Sequence, residues 1–484
     1  MKILIASSEC DPFAKVGGLG DVIPSLAVAL KKLGHDVRII LPKYGAIDSI
    51  PWCSVAGGPM IVNMGYGVEF ALLLQAEHKN IPVYFVEFNK YFARGGIYGE
   101  FGESYSDNWK RFAFFCRAVI DACPFLGWAP DVIHSHDWPT GLISPLLSLW
   151  NRPAILKNTK SIFTIHNMAH HGYAPRELLR FVGLYDHYWH PLAMEACGAV
   201  NVIKGALQFA HRIVAVSKTY AEEIKTPAYG CGLDGVLRYR ARDLAGICNG
   251  IDGEIWNPAT DKFLPWKFSA KSIGGKEICK RELQSAIGLA PAERMPVFGV
   301  VSRFFEQKGL DVLCNALPDV LGKMAVQFAV LGSGDANLEW KFRELASRFE
   351  GKMAVKIGFD NALAHLIVAG SDFFVMPSRY EPCGLSQLYA MAYGTLPIVR
   401  ATGGLCDTVE NYDEVTGSGT GFVFNDLTHG ALYDTIGWAC ATYYDRRRHV
   451  RIMQRRAMGK DFSWNKSAKD YEREYELAMQ LPLQ

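Results

Sequence analysis

The sequence lacks the features that mark membrane-spanning, secreted or nucleic-acid-binding proteins. No apolar run approaches the roughly 18–20 residues that a bilayer span requires. The 51 Lys and Arg residues nearly balance the 49 Asp and Glu residues, and the net charge of +2 offers no strong field to a polyanion. Residues 1–7 read as a first core strand, because the apolar segment is too short for a signal peptide. We therefore expect a cytoplasmic protein that binds neither nucleic acid nor membrane.

Motifs for redox chemistry, zinc and nucleotides are also missing. The closest two of the 12 cysteines are Cys116 and Cys123, so no Cys-x-x-Cys pair exists, and we expect reduced, buried thiols. The first glycine-rich loop reads Gly-Gly-x-Gly, which does not match the dinucleotide fingerprint. Glu277 stands where a Walker A motif needs Ser or Thr. No Asp-x-Asp is present, so we expect no metal and no cofactor, and protein cations and amides must neutralise any bound phosphate.

What the sequence does contain is a regular alternation of strand-like and helical segments. The first series of strand-like runs lies near residues 2–7, 36–41, 83–87, 131–134, 161–164 and 212–215, and the second near 297–301, 326–331, 355–358, 373–376, 397–400 and 422–424. This βαβ alternation predicts an α/β protein with two tandem Rossmann-like, doubly wound parallel-sheet domains. A length of 484 residues also exceeds what one core supports. A turn-rich segment places the hinge near residues 245–255.

Two similar loops, Gly17-Gly18-Leu19 and Gly403-Gly404-Leu405, each follow a strand and open a helix. Paired glycines allow backbone amides to approach a phosphate at a helix N-terminus. An ordinary tight turn explains either loop alone equally well. The occurrence of one copy in each half favours the phosphate interpretation.

Charged residues follow two strands of the second series. Glu381 comes after a buried run that ends at Pro377, at the carboxyl end of a strand, where open α/β sheets bind ligands. Arg303 and Lys308 follow another strand, and two cations there suit a diphosphate. The alternative is that they are solvated charges or pair with Glu306.

The first half has its own candidates at strand ends. Asp137 beside Trp138 suits carbohydrate, because carboxylates accept hydrogen bonds from hydroxyls and aromatic faces stack on sugars, although a helix-capping Asp explains the carboxylate as well. His134 and His136 share a strand face, but a third zinc ligand is not visible. His166 ends another strand and is either a substrate-binding or a buried structural histidine.

These motifs resemble one family closely: the bacterial glycogen synthases and plant starch synthases, which are retaining glucosyltransferases of the GT-B fold. The resemblance covers essentially the whole chain and rests on residues 15–22, 136–138, 164–167, 249–252, 302–309, 377–385 and 392–395, with Gln387-Leu388-Tyr389 typical of the synthases. It implies a first domain over 1–245 on the acceptor side, a nucleotide-sugar domain over 246–460 and a deep interdomain cleft. Residues 461–484 are expected to form a helix that packs back on the first domain.

The resemblance also implies a reaction and a set of residues. The reaction is transfer of glucose from ADP-glucose to the non-reducing end of glycogen or another α-1,4-glucan, with retention at the anomeric carbon. The implied catalytic residues are Glu381, His166, Asp137, Lys308 and Arg303. The implied donor-binding residues are Lys15, Gly17, Gly18, Arg303, Lys308, Glu381, Cys383, Gly384, Leu385, Thr402, Gly403 and Gly404.

Three alternatives remain open from the sequence. A non-catalytic glucan-binding homologue would be expected to have lost Glu381, Lys308 or Lys15, and all three are present. A UDP-glucose-dependent enzyme of the same fold is not distinguished, because no residue here reads adenine over uracil. A pyridoxal-dependent phosphorylase would need a longer chain. One departure from the bacterial pattern is His171, which stands where glutamine is common.

Overall fold

The structure, a computed structural model, describes residues 1–47, 53–54, 58–100 and 102–482. The chain divides into two units, Met1–Gly250 with Trp464–Gln484, and Ile251–Ser463. The last segment therefore groups with the first unit, although the whole second unit separates the two along the chain.

The first unit is built around a ten-stranded sheet whose order is β15-β14-β10-β9-β1-β2-β6-β5-β3, with β4 paired to β5. The strands of this unit, including two small accessory sheets, are β1 (Lys2–Ala6), β2 (Asp36–Pro42), β3 (Cys53–Ser54), β4 (Met60–Met64), β5 (Gly67–His78), β6 (Ile81–Glu87), β7 (Gly99–Glu100), β8 (Glu103–Ser104), β9 (Val132–His136), β10 (Lys160–Ile165), β11 (Tyr173–Ala174), β12 (Glu195–Ala196), β13 (Ala199–Asn201), β14 (Arg212–Ala215) and β15 (Leu244–Gly246). Its helices before the second unit are α1 (Gly18–Lys32), α2 (Asn89–Phe92), α3 (Asn108–Phe125), α4 (Ile143–Leu147), α5 (Glu177–Val182), α6 (Val202–Phe209), α7 (Lys218–Glu223) and α8 (Asp234–Tyr239).

The second unit has a six-stranded sheet in the order β18-β17-β16-β19-β20-β21, in which every pair is parallel. Its strands are β16 (Val297–Phe304), β17 (Gln327–Gly334), β18 (Met353–Ile357), β19 (Phe373–Met376), β20 (Leu396–Arg400) and β21 (Phe422–Phe424). Its helices are α9 (Gly275–Ile287), α10 (Leu310–Lys323), α11 (Ala336–Arg348), α12 (Asn361–Gly370), α13 (Ser386–Ala392), α14 (Gly403–Thr408), α15 (His429–Asp445) and α16 (Arg447–Met458), and α17 (Trp464–Gln480) returns to the first unit.

The predicted fold class is confirmed, because each unit contains a doubly wound parallel sheet. Central strands such as β9, β10 and β19 are buried at every residue, as expected where helices cover both faces. The antiparallel extension formed by β3, β4 and β5 was not predicted. Along β4 buried and exposed residues alternate, so this part of the sheet has one solvent-facing side and gives a weaker apolar signal.

The order of the strands reverses once in each sheet, between β1 and β9 in the first unit and between β16 and β19 in the second. Both reversals arise because the chain builds outward on one side and then returns to build outward on the other. Open α/β sheets bind ligands outside the carboxyl ends of the strands at such points. The topology alone therefore selects one edge in each unit.

Helix α17 completes the core of the first unit. Its apolar face consists of Trp464, Ala468, Tyr471, Tyr475 and Ala478, which recur every three or four residues and are all buried. The Tyr475 hydroxyl lies 2.9 Å from His134 Nδ1. Arg212 Nε donates to Glu474 Oε2 at 2.7 Å.

We expect Tyr475→Ala to destabilise the protein by about 3–5 kcal/mol, because it removes a buried aromatic ring. Tyr475→Phe should cost about 1 kcal/mol through loss of the contact with His134. Urea denaturation followed by tryptophan fluorescence measures both effects. Leu477→Ala is the matched control, since that side chain is 43% exposed on the same helix and its loss should change the midpoint little. Equal effects at positions 475 and 477 would contradict the packing described here.

Candidate active site

The predicted site residues follow the strands that flank the two reversal points. In the first unit, Lys15 lies in the loop after β1 and Asp137 follows β9. In the second unit, Arg303 lies near the end of β16, and Glu381 follows β19. Each unit therefore presents its candidate residues at the sheet edge that the topology selects.

In the second unit, Glu381 is a buried carboxylate with two side-chain partners. It is only 5% exposed. Lys308 Nζ donates to Glu381 Oε2 at 2.7 Å, and Ser378 Oγ donates to the same oxygen at 2.9 Å. Burying a carboxylate is costly unless it is paired and hydrogen-bonded, so these partners fix the position of Glu381.

The loop that carries Lys308 is tied to the loop that carries Glu381. A 3-10 turn at Glu306–Lys308 ends at Gly309, whose φ of +62° is the left-handed conformation that glycine tolerates. The Arg379 amide donates to the Gln307 carbonyl at 2.8 Å, and the Gln307 side chain donates to the Tyr380 carbonyl at 3.3 Å. These contacts bring the ammonium to the carboxylate across 73 residues of sequence.

Arg303 is the second cation at this edge. Its side chain is exposed, and it forms no ion pair with any residue that the structure describes. Its guanidinium carbon lies 5.4 Å from the centre of the Phe305 ring. Lys308 already forms an ion pair with Glu381, whereas the guanidinium of Arg303 can bind an anion without breaking an ion pair with a described residue.

The Gly403-Gly404 pair permits a close backbone contact with the Glu381 loop. Gly403 has φ +46°, and a Cβ there would lie 2.0 Å from the Glu381 carbonyl oxygen. A Cβ on Gly404 would lie 2.1 Å from the Cys383 carbonyl oxygen. The Gly404 amide donates to the Glu381 carbonyl at 3.0 Å, and Thr402 is buried at the N-cap of α14. The pair therefore has a packing role in addition to the predicted phosphate contact.

The segment Cys383-Gly384-Leu385 leads from Glu381 into helix α13. Gly384 has φ +72°, and Leu385 occupies the N-cap position. Gln387 Nε2 donates to the carbonyls of Cys383 and Gly384, each at 3.0 Å. The side chain of Gln387 thus holds the backbone of the predicted donor-binding turn.

In the first unit, Glu9 organises the glycine loop. Its Oε2 accepts the amides of Val16 at 2.7 Å and Gly17 at 2.8 Å, and its Oε1 accepts the Tyr98 hydroxyl at 2.8 Å. Lys15 is exposed and contacts Asp21 Oδ1 at 2.5 Å. Sequence reasoning missed Glu9, although a carboxylate between a strand and a Gly-Gly loop is a usable signal.

Asp137 and His166 lie together at the ends of β9 and β10. Asp137 Oδ1 accepts the amides of His166 at 2.7 Å and Asn167 at 3.3 Å. The backbone of Asp137 has φ +55°, uncommon for a residue with a side chain, and such strain concentrates at functional positions. His166 Nε2 lies 3.0 Å from His136 Nδ1. The structure therefore brings the two predicted residues of this unit into direct contact.

Burial sets the charge state of these groups. It lowers the pKa of His166 and of His134 to about 3 and that of His136 well below its usual value. It raises the pKa of Asp137 to about 7. His166 is therefore neutral at physiological pH, and it serves as a hydrogen-bonding group and not as a cation.

Comparisons with known proteins agree along the whole chain. The family profile for the starch synthase catalytic domain matches residues 2–239, and that for glycosyl transferases group 1 matches residues 286–452. The glycogen synthase of Treponema denticola is 42% identical over 98% of both chains, and that of Koribacter versatilis is 44% identical over 99% of both. The chain belongs to the glycogen and starch synthase family.

Structural comparison places this family member on the same fold. The catalytic domain of starch synthase IV from Arabidopsis thaliana, solved with ADP and acarbose bound, superposes with a TM-score of 0.92 at 34% identity over 99% of both chains. A sucrose-phosphate synthase from Thermosynechococcus elongatus, 18% identical with a TM-score of 0.60 over 98% of both chains, shares the fold. The predicted GT-B fold and glycosyltransferase class are thus confirmed.

One aromatic residue at the carboxyl edge of the second unit's sheet was not among the predicted site residues. Phe359 follows β18 and the positive-φ Gly358, and it is 90% exposed. A Phe so exposed at a ligand-binding edge is unusual, because burying such a ring is favourable. The sequence offered no signal for this exposure, since an aromatic after a strand is most often part of the core.

His171, which stands where glutamine is common in the bacterial enzymes, packs against neighbouring side chains of the first unit. His171 is buried, and its Nδ1 lies 2.6 Å from Asn201 Nδ2. Its ring stacks on Tyr173 with a centroid separation of 5.2 Å. The side chain is thus engaged within the first unit.

The alternative metal reading of the histidine pair finds no support in the described part of the chain. No group of three or more His, Cys, Asp and Glu residues there could hold a metal ion. Both ring nitrogens of His134 already have partners, Thr164 Oγ1 at 2.7 Å and the Tyr475 hydroxyl. None of the described helices is both long and apolar enough to cross a bilayer.

The buried histidines predict how stability depends on pH. Between about pH 6.5 and 3 the unfolded chain binds a proton at His134, His136 and His166 that the folded chain does not bind, so stability falls as the pH falls. Asp137 has the opposite effect on stability. Its pKa is raised in the folded chain, so the folded chain holds one proton that the unfolded chain does not. We therefore expect the free energy of unfolding to decline from pH 6.5 to pH 5.

The measurement is a series of urea midpoints between pH 5 and 7.5. In His136→Asn one proton fewer is taken up on unfolding, so the slope of the free energy of unfolding against pH should fall by about 1.4 kcal/mol per pH unit. Exposed His187→Asn, also in the first unit, is the matched control and should leave the dependence unchanged. An identical slope in wild type and His136→Asn would contradict the assignment.

Proposed function

We propose that this enzyme transfers the glucosyl group of ADP-glucose to the non-reducing end of an α-1,4-glucan, with retention of the anomeric configuration. The observation that carries the proposal is the Lys308–Glu381 pair, which holds a buried carboxylate beside a cation at the edge where an α/β sheet binds ligands. Full-length similarity to bacterial glycogen synthases supports the choice of reaction.

At the second unit's edge, the proposed chemistry is stabilisation of a departing diphosphate. The bond between the anomeric carbon and the phosphate oxygen breaks, and negative charge grows on the diphosphate. Arg303 supplies a planar guanidinium and Lys308 a compact ammonium, and both act without reorganisation when they are held in place beforehand. Glu381 accepts hydrogen bonds from hydroxyls of the glucose and stabilises positive charge at the anomeric carbon.

No protein side chain acts as a nucleophile in this scheme. The acceptor 4-hydroxyl oxygen bonds to the anomeric carbon on the face that the diphosphate leaves, and its proton passes to the departing phosphate oxygen. Atoms and charge balance without a metal or an acid/base pair, and orientation supplies much of the rate. Retention follows from attack on the same face.

The first unit's edge provides groups that orient sugars. Neutral His166 offers a hydrogen bond to a glucose hydroxyl, and Asp137, held by two amides, accepts one. Lys15 and the Gly17-Gly18 loop are proposed to meet the donor diphosphate. Gly17 suits this role, because nothing lies within 4 Å of the position that a Cβ would take there, so a ligand can approach the backbone.

Glu381→Ala tests the proposal directly. We expect glycogen-dependent release of ADP from ADP-glucose by the wild type, and a loss of at least about 100-fold in kcat in the variant. Glu282→Ala, on the exposed face of α9, is the matched control and should retain full activity. Release of UDP from UDP-glucose instead would keep the reaction and change the donor. No release from either donor would favour a glucan-binding protein.

Phe359 tests the nucleotide part of the donor. An exposed ring at this edge is suited to stack on a base, and such stacking is worth about 1–3 kcal/mol. Phe359→Ala should therefore raise the KM for the nucleotide sugar roughly 5- to 150-fold with little change in thermal stability. Phe359→Tyr keeps the ring and should retain the wild-type KM. An unchanged KM in Phe359→Ala would place the base elsewhere.

A further inference from the structure

A second concave site lies in the Ile251–Ser463 unit, between helices α9 and α16. Its volume is about 370 Å³, within the range of sites for small molecules. Asp372, which forms part of its wall, directly precedes β19, and Asp372 Oδ2 accepts the Val297 amide at the start of β16 at 2.9 Å. The pocket therefore lies at the amino ends of the strands, at the edge opposite to Glu381.

Both helices present basic side chains to this pocket. Lys276 and Lys280 are four residues apart on α9, and Arg447 and Arg451 are four residues apart on α16, so each pair shares one helix face. The lining contains six cations and three carboxylates. The cations are Lys276, Lys280, Arg281, Arg294, Arg447 and Arg451, and the carboxylates are Glu277, Glu293 and Asp372.

Every carboxylate of the lining is already paired with one of these cations. Each of the three ion pairs joins two lining residues, and no ion pair among the described residues links these carboxylates to the other three lining cations. The pairs are Lys280 Nζ with Asp372 Oδ2 at 2.7 Å, Arg451 Nη2 with Glu277 Oε1 at 2.6 Å, and Arg281 Nη1 with Glu293 Oε1 at 3.4 Å.

Three cations remain without an anionic partner among the described residues. Lys276 is 4% exposed, and its Nζ donates only to neutral acceptors, the Ala369 carbonyl at 2.7 Å and Thr395 Oγ1 at 2.5 Å. Burial lowers its pKa to about 7. Arg447 stacks its guanidinium 3.9 Å from the Tyr443 ring centre, and Arg294 forms no ion pair with any described residue.

We propose that this pocket binds a small phosphorylated metabolite, with Arg294 and Arg447 contacting the phosphoryl group and Lys276 beneath it. The three unpaired cations outweigh the charge of about −2 on a phosphate monoester, and the guanidinium fork fits its oxygens. A buried lysine with only neutral partners is stabilised in its charged form by such an anion. The volume suits a small molecule, and a neutral glucan would leave these charges unmatched.

The site does not depend on the proposed reaction. It shares no residue with the edge that carries Arg303, Lys308 and Glu381, and the length of the strands separates the two. A donor diphosphate and a pocket anion would therefore bind separately. Substitutions at each place distinguish them.

Isothermal titration at low ionic strength tests the proposal with inorganic phosphate, a hexose 6-phosphate and neutral glucose as probes. Arg294→Gln and Arg447→Gln should each weaken binding of the phosphorylated probes at least about tenfold, and glucose should not bind the pocket. Arg448→Gln is the matched control, because Arg448 neighbours Arg447 on α16 but does not line the pocket. Unchanged ADP release by the arginine variants would show that they are folded.

The variant Arg303→Gln with Lys308→Gln separates this pocket from the donor site. Phosphate binding that persists in this double variant and disappears in Arg447→Gln supports the proposal, even if the protein proves to have a different activity. Tighter binding of inorganic phosphate than of the hexose phosphate would make free phosphate the ligand. Binding that is lost only in the double variant, or no binding at millimolar probe, would overturn the proposal.

Discussion

A charged carboxylate is buried at the edge of a sheet only at a large cost unless a cation or hydrogen-bond donors replace its lost hydration. In the second unit this requirement is met by Lys308 and Ser378, which both contact one oxygen of Glu381. The loops after β16 and β19 are joined by further backbone contacts, so the pair is held by two strand ends and not by a single flexible loop. In the proposed reaction the donor diphosphate would share Lys308 with the carboxylate, and positive charge on the sugar and negative charge on the phosphate would then develop at neighbouring points.

The two Gly-Gly loops show how similar sequences meet different physical demands. Around Gly17 there is open space, and the loop is shaped by the carboxylate of Glu9. Around Gly403 the carbonyl of Glu381 leaves no room for a side chain. One loop is open to a ligand, whereas the other is required for the chain to pass close to the catalytic candidate. Both demands select glycine, so sequence alone does not separate them.

Much of the fold could be predicted from the sequence, because buried parallel strands appear as continuous apolar runs and their carboxyl ends locate the candidate residues. The proximity of Lys308 to Glu381 and of Asp137 to His166 follows from that rule. The role of Asn201 could not be predicted, since it depends on a hydrogen bond to a distant side chain, whereas Glu9 was missed although its place between a strand and a Gly-Gly loop is a usable signal. The exposure of Phe359 and the antiparallel strands β4 and β5 were missed because residue type and apolar pattern there also fit buried or irregular structure.

The return of α17 to the first unit has a consequence for synthesis of the chain on the ribosome. Residues 1–250 are made before the second unit, yet part of their core is supplied by Trp464–Gln480, which is made after it. At about 5–20 residues per second the first unit waits roughly 10–40 s with the face that receives Tyr471 and Tyr475 uncovered. The second unit is continuous in sequence and is synthesised during that interval. The first unit therefore cannot complete its core until the whole second unit has been made, and its uncovered face is available to a chaperone until then.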